Sequence, residues 1–138
     1  MKELDNLVKV NQLKLEPADA KEFLGMLRAG DTKLKDSLID GLSEDSQFSL
    51  AYGAAHAFSL AALRWHGYRS ESRYLVFQCL QHTLALKKSK WRVLDKCHQA
   101  RNLAEYEGQS DVNPQLLKEL KSICKEIQSL VTALPALE

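Results

Sequence analysis

Four polar side chains crowd the end of one amphipathic segment, residues 89–108. Arg101 and Glu105 are four positions apart, as are Asn102 and Tyr106, so each pair lies on one face of a helix. An arginine can bind phosphate through two parallel hydrogen bonds and stabilise developing negative charge. A surface ion pair beside a tyrosine, worth about 0.2–0.5 kcal/mol, would leave the same pattern. Spacing alone favours this structural interpretation.

A short basic run opens the same segment. Lys88, Lys90 and Arg92 surround Trp91 in it. Lysine and arginine bind nucleic-acid phosphates, so these three are candidate RNA-binding residues. The alternative is a solvated interhelical loop with Trp91 packing inward, and the run taken by itself favours that alternative.

The histidines and cysteines form no recognisable metal motif. Carboxylate-bridged sites in helical bundles need Glu-x-x-His on two helices, and the nearest approach is a single Asp95-x-x-His98. We interpret His56 and His82 as residues at the core edge or surface that find a hydrogen bond, and the cysteines lie among apolar residues. Cys79, Cys97 and Cys124 are far apart and form no Cys-x-x-Cys pair, which favours free thiols in a reducing compartment. We therefore expect no metal and no cofactor.

Length and charge restrict the classes of function. The 138 residues suit a single domain, and a net charge of +1 provides no general attraction to nucleic acid, so RNA binding would need a local patch. Residues 47–63 are nearly uncharged but too few to span a membrane, and we interpret them as a buried helix. The first residues lack the apolar segment of a signal peptide. A cytoplasmic protein without membrane contact is expected.

Hydrophobic periodicity predicts an all-α fold: an antiparallel helical bundle of four to five main helices with one or two additional N-terminal helices. We predict one domain over residues 1–138, with an N-terminal helical extension at 1–31 and the core bundle at 32–133. This division depends on Gly30 as a helix end and Asp31 as the next N-cap. No strand pattern is evident. Helix starts are expected at Pro17, Thr32, Ser43, Ser70, Ser89 and Pro114, and Gly108 is expected to end the segment that begins at Ser89.

Two segments resemble the HEPN family of small helical-bundle proteins. Residues 51–56 (AYGAAH), with 61–63 (AAL) and 67–69 (GYR), are similar to the family's central helix and its turn. Residues 101–107 (RNLAEYE) are similar to the family's Arg-Asn-x-x-x-His signature near the end of a late helix. The resemblance covers roughly residues 32–133, and the two segments occur in the family's helix order.

The resemblance implies a homodimer whose two signature helices face one another across a cleft. In active members the signature cleaves RNA without a metal, and many are toxins encoded beside a nucleotidyltransferase-like antitoxin. Others are non-catalytic modules that bind RNA, a nucleotide or such a partner. Carried over by position, the implied catalytic residues are Arg101, Asn102 and Tyr106, with Glu105 supporting Arg101.

Tyr106 stands where the family has histidine. Histidine exchanges protons near neutral pH, whereas the phenol of tyrosine is a poor base there. Five residues at about 100° each also place Arg101 and Tyr106 about 140° apart on a helix. One cleft could contain both only by wrapping the helix end or with a second subunit. A ribonuclease, a non-catalytic binding module and a helical adaptor thus remain alternatives.

Overall fold

The computed structural model describes residues 1–108 and 112–137, which form an all-α bundle as predicted. Four long helices build the bundle, and a shorter one precedes them. The elements, in chain order, are α1 (Lys2–Lys9), β1 (Lys14–Leu15), α2 (Ala20–Ser37), α3 (Glu44–Trp65), β2 (Tyr68–Arg69), α4 (Arg73–Gln78), α5 (Leu80–Thr83), α6 (Lys88–Glu107) and α7 (Pro114–Thr132).

Helix α3 lies at the centre of the bundle, as its apolar sequence predicted. Ser43 caps it by accepting a hydrogen bond from the backbone N–H of Ser46 at 3.1 Å. Phe58 in its middle is fully buried, and the helix packs against α2, α4 and α7. A helix buried on several sides can present residues to more than one neighbour. This position lets α3 form the floor of the site described below.

The helix break predicted at Gly30 and Asp31 is wrong, because α2 runs without interruption from Ala20 to Ser37. Gly30 is buried against α3, where a Cβ atom would lie 2.5 Å from Cε1 of Phe58. The glycine therefore permits close helix packing and is not a C-cap. A boundary between residues 31 and 32 falls inside this continuous helix.

Two predicted helix starts were displaced. Helix α2 begins after Asp19, which caps it by accepting from the N–H of Glu22 at 3.1 Å, and not at Pro17. The segment predicted to start at Ser70 begins after Ser72 and is divided into α4 and α5. The predicted helix end at Gly108 and the predicted start at Pro114 are confirmed: Gly108 has a left-handed φ of 68°, and Asn113 caps α7, which begins at Pro114.

A short antiparallel pair, β1 with β2, was not predicted. It forms beside Arg64, whose side chain is only 2% exposed. Arg64 Nε pairs with Glu22 Oε1 at 2.5 Å, and Nη2 donates to the carbonyl of Pro17 at 2.7 Å. Tertiary contacts thus hold two residues extended on each strand, and so short a pair carries no recognisable sequence pattern.

The three cysteines are buried free thiols, as predicted. Trp91 packs against the core, which confirms the prediction that it faces inward. Across the described residues, every helix is too short or too polar to cross a bilayer.

Candidate functional site

A cleft of about 520 Å³ opens between α2, α3, α4 and α6. Its cationic side chains come from three different helices: Lys33 from α2, Arg73 from α4 and Arg101 from α6. Glu105 and Asp45 supply the acidic groups of the wall. The cleft therefore combines a concave shape with three converging positive charges.

Helical spacing explains how α3 and α6 contribute. Phe48, Tyr52 and His56 follow one another at intervals of four residues, so they lie along one face of α3 and line the cleft together. Arg101 and Glu105 repeat the same interval on α6. These positions follow from local geometry, but their convergence depends on how the helices pack.

Gly53 makes room for the lysine. A Cβ atom at Gly53 would lie 3.2 Å from Cδ of Lys33, tighter than an ordinary van der Waals contact. The absence of a side chain on α3 thus lets the stem of Lys33 cross the helix surface to the cleft.

The two arginines flank Tyr52. The guanidinium carbon of Arg73 lies 5.6 Å, and that of Arg101 5.8 Å, from the centre of its ring, within range of a cation–π interaction. Arg101 Nη2 also pairs with Glu105 Oε2 at 2.6 Å. Among the described residues, neither Arg73 nor Lys33 has a carboxylate within ion-pair distance. Within the described part of the chain, no carboxylate neutralises these two charges.

A chain of hydrogen bonds runs behind the cleft wall. Asn102 Oδ1 accepts from Arg101 Nη1 at 3.4 Å, so its Nδ2 faces His98 Nε2 at 3.3 Å. Because the amide nitrogen donates, Nε2 must accept, which places the imidazole proton on Nδ1. His98 Nδ1 then donates to Tyr52 Oη at 2.9 Å. The network assigns this neutral tautomer and fixes the ring of Tyr52.

The electrostatic surroundings keep both histidines neutral. Burial, together with the charges of Arg73, Lys33 and Arg101, lowers the pKa of His56 to about 4. Burial also lowers the pKa of His98, against a smaller opposing effect of Asp95. At neutral pH the positive charge of the cleft comes from its lysine and arginines.

The structure brings together only part of the predicted signature. Arg101 and Glu105 line the cleft, and Asn102 lies one hydrogen bond behind it. Tyr106 is 73% exposed and is outside the cleft lining, as the 140° separation from Arg101 implies. Within one chain, Tyr106 therefore does not share a site with Arg101.

The predicted basic run is separate from the cleft. Lys88 and Arg92 are exposed near the start of α6, roughly 14–20 Å along the helix from Arg101 at 1.5 Å per residue. Lys90 is ion-paired with Glu126 of α7. These cations form a second surface that the cleft does not include.

Sequence reasoning missed five residues of the site. Tyr52 and His56 lay within the family-like segment, and their four-residue spacing was a usable signal. His56 was interpreted as a residue that finds a hydrogen bond, yet among the described residues it has none. The remaining three are Lys33, Arg73 and His98. Lys33 and Arg73 lie on other helices than the signature, and His98 lies on the same helix but contacts the cleft only through Tyr52.

Within residues 1–108 and 112–137, no three His, Cys, Asp or Glu side chains come together as a metal-binding group. Comparison with known proteins finds no matching family model, no similar curated protein and no similar solved structure.

Proposed function

We propose that this cleft binds the phosphate backbone of RNA, and that the chain is a HEPN-like protein of toxin or toxin-derived type. One observation carries the proposal: three cations from three helices converge on a single cleft. Arg101, the arginine of the family-like signature, is one of them. The cleft thus provides positive charge where the signature resemblance expects phosphate.

The chemistry of the cations favours phosphate as the ligand. Guanidinium groups match phosphate oxygens with parallel hydrogen bonds, and Lys33 adds a point charge. The ion pair with Glu105 at 2.6 Å and the hydrogen bond to Asn102 at 3.4 Å position Arg101, and these two contacts use only part of the five N–H donors of its guanidinium. Tyr52 is only 2% exposed, so it orients the arginines and offers no open face for base stacking. Recognition of the backbone, without base selectivity, is the expected result.

Binding to a fluorescent single-stranded oligoribonucleotide, measured by anisotropy, tests the proposal. Arg101→Ala should weaken binding about tenfold or more, and added salt should weaken the wild type. Arg28→Ala is the matched control, because Arg28 is an exposed arginine of α2 outside the cleft lining. Equal losses in both variants, or none in either, would reject the cleft as the RNA site.

A second candidate function is metal-independent cleavage of RNA. The observation that favours it is an imidazole, His56, facing the same cleft as Arg101 and Arg73. Wild type and Arg101→Ala, incubated with total RNA in the presence of a chelator, test this candidate. Cleavage by the wild type alone supports it, whereas equal cleavage by both, or none, leaves the protein as a binding module.

Assembly forms part of the proposal. A homodimer with paired α6 helices would allow the exposed Tyr106 of each copy to approach the other copy's cleft. Sedimentation equilibrium measures the mass, and a monomer at all concentrations would remove Tyr106 from the site. Copurification with a nucleotidyltransferase-like protein encoded next to the gene tests the antitoxin partner.

A further inference from the structure

His56 lines the cleft, and the backbone-binding proposal does not use its chemistry. It lies on α3 one turn after Tyr52, and its ring packs edge-to-face against Phe77 at 6.2 Å. No described residue hydrogen-bonds to His56. Its ring nitrogens are also not among the described polar atoms that are fully buried without a hydrogen-bond partner. The imidazole therefore has a nitrogen directed at the open cleft.

The charges that face His56 come from every element around the cleft. Lys33 on α2 and Arg73 on α4 are positive. On α6, Arg101 is positive and its partner Glu105 negative. The cleft face of α3 itself carries Asp45 and Tyr52, and His98 lies behind the latter. The three cations all oppose a proton on His56, whose pKa is already lowered by burial.

A phosphate anion in the cleft would reverse this field. It would lie among the same three cations and supply the negative charge that a protonated imidazole requires. We propose that His56 is a phosphate-binding residue that takes up a proton when the anion enters, and so becomes a fourth cationic donor. The inference rests on the proposed function for RNA as the ligand, but it requires only the phosphate group.

Proton linkage gives the sign of the effect. The complex holds more protons than the free protein, so affinity must rise as pH falls. As pH falls, the affinity begins to rise near the pKa that His56 has in the complex. The rise stops near the pKa that His56 has in the ligand-free protein, about 4. Between those limits affinity changes by up to tenfold per pH unit, and above them it is independent of His56.

His98 provides the sharpest control. Both of its nitrogens are already engaged, by Tyr52 Oη at 2.9 Å and by Asn102 Nδ2 at 3.3 Å. A proton on Nε2 would break the second bond, because the amide nitrogen cannot accept. His82, exposed on α5, is a histidine outside the cleft and controls for general effects of substitution.

Calorimetry at pH 6 in two buffers of different ionisation enthalpy measures the protons taken up on binding. The probes are dimethyl phosphate, a diester with no proton to exchange near neutral pH, and a short single-stranded oligoribonucleotide without terminal phosphates. Wild type and His82→Gln should take up a fraction of one proton per bound ligand. His56→Gln should take up none and bind with an affinity that no longer rises toward pH 5. Circular dichroism confirms that each variant is folded.

The outcomes separate this inference from the proposed function. Uptake that persists in His56→Gln, or disappears in His98→Gln instead, overturns it even if RNA binding depends on Arg101. If binding of the small phosphate probe takes up a proton that requires His56, and no RNA binds, the inference is supported and RNA is rejected as the ligand. Absence of binding by both probes overturns both proposals.

Discussion

Two glycines of α2 provide a matched test of how this helix packs on α3. Gly25 is exposed, and a Cβ atom there would meet nothing within 4 Å. Gly30 faces the ring of Phe58, where a Cβ atom would lie 2.5, 2.7 and 2.8 Å from three ring carbons. The same substitution, glycine to alanine, should therefore have opposite effects at positions five residues apart on one helix.

The magnitudes follow from two competing terms. Alanine in a helix interior is favoured over glycine by about 0.8–1.0 kcal/mol, and Gly25→Ala should gain that amount. Gly30→Ala gains the same term but overfills a packed contact, which costs about 1–3 kcal/mol and occasionally more. Three ring atoms inside contact distance place the cost near the upper end. We expect Gly30→Ala to be about 2 kcal/mol less stable than the wild type and about 3 kcal/mol less stable than Gly25→Ala, because the helix-propensity gain is common to both variants.

Urea denaturation followed by circular dichroism measures both free energies of unfolding. The comparison requires unchanged m-values, so that the native and unfolded states expose comparable surfaces. A smaller side chain at the contact, in Gly30→Ala/Phe58→Leu, should recover part of the loss as a coupling energy between neighbours. Equal stabilisation by both single substitutions would refute the close packing of α2 on α3.

Three further predictions concern the other parts of the structure. Arg64→Met removes one of the two arginine partners of Glu22, which keeps Arg69, and leaves the carbonyls of Glu16 and Pro17 without their donor; the free energy of unfolding should fall by about 2–4 kcal/mol in urea titrations. The hydrogen bond from Arg64 lowers the pKa of Glu22 from 4.5, so wild-type stability should fall as pH drops below about 4.5, and acid titration of Arg64→Met should lack that part of the loss. Arg73→Ala should weaken RNA affinity about tenfold in anisotropy titrations, and unchanged affinity would exclude Arg73 as a ligand. The three cysteines should resist Ellman's reagent at pH 8 until urea is added, because burial raises their pKa, that of Cys97 to about 12, and rapid native labelling would contradict this.

Local chemistry made much of the fold predictable. Ser43, Asn113 and Gly108 act through residues within five positions of themselves, so their caps can be predicted from the sequence. Arg101 and Glu105 are likewise neighbours on one helix, and the ion pair forms at the predicted spacing. The burial of α3 could also be predicted, because apolar residues cover most sides of this helix.

Gly30 and Arg64 mark where local reasoning stopped. Gly30 has the residue type of a helix end, but only the ring of Phe58, 28 positions later, explains its use inside α2. Arg64 has the residue type of a solvated helix end, yet partners 42 to 48 positions away hold it in the interior. A pattern of neighbours along the chain contains no information about such partners.

The sequence by itself determined the helical character of the chain, the helix ends at Ser43, Gly108 and Pro114, and the local pairing of Arg101 with Glu105, because these depend on contacts within one or two turns. Only the tertiary structure decided which other groups join them. Packing of four helices brings Lys33, His56 and Arg73 to one cleft with Arg101 and leaves Tyr106 outside it. The reason is physical: charge and burial at a site are sums over all neighbours in space.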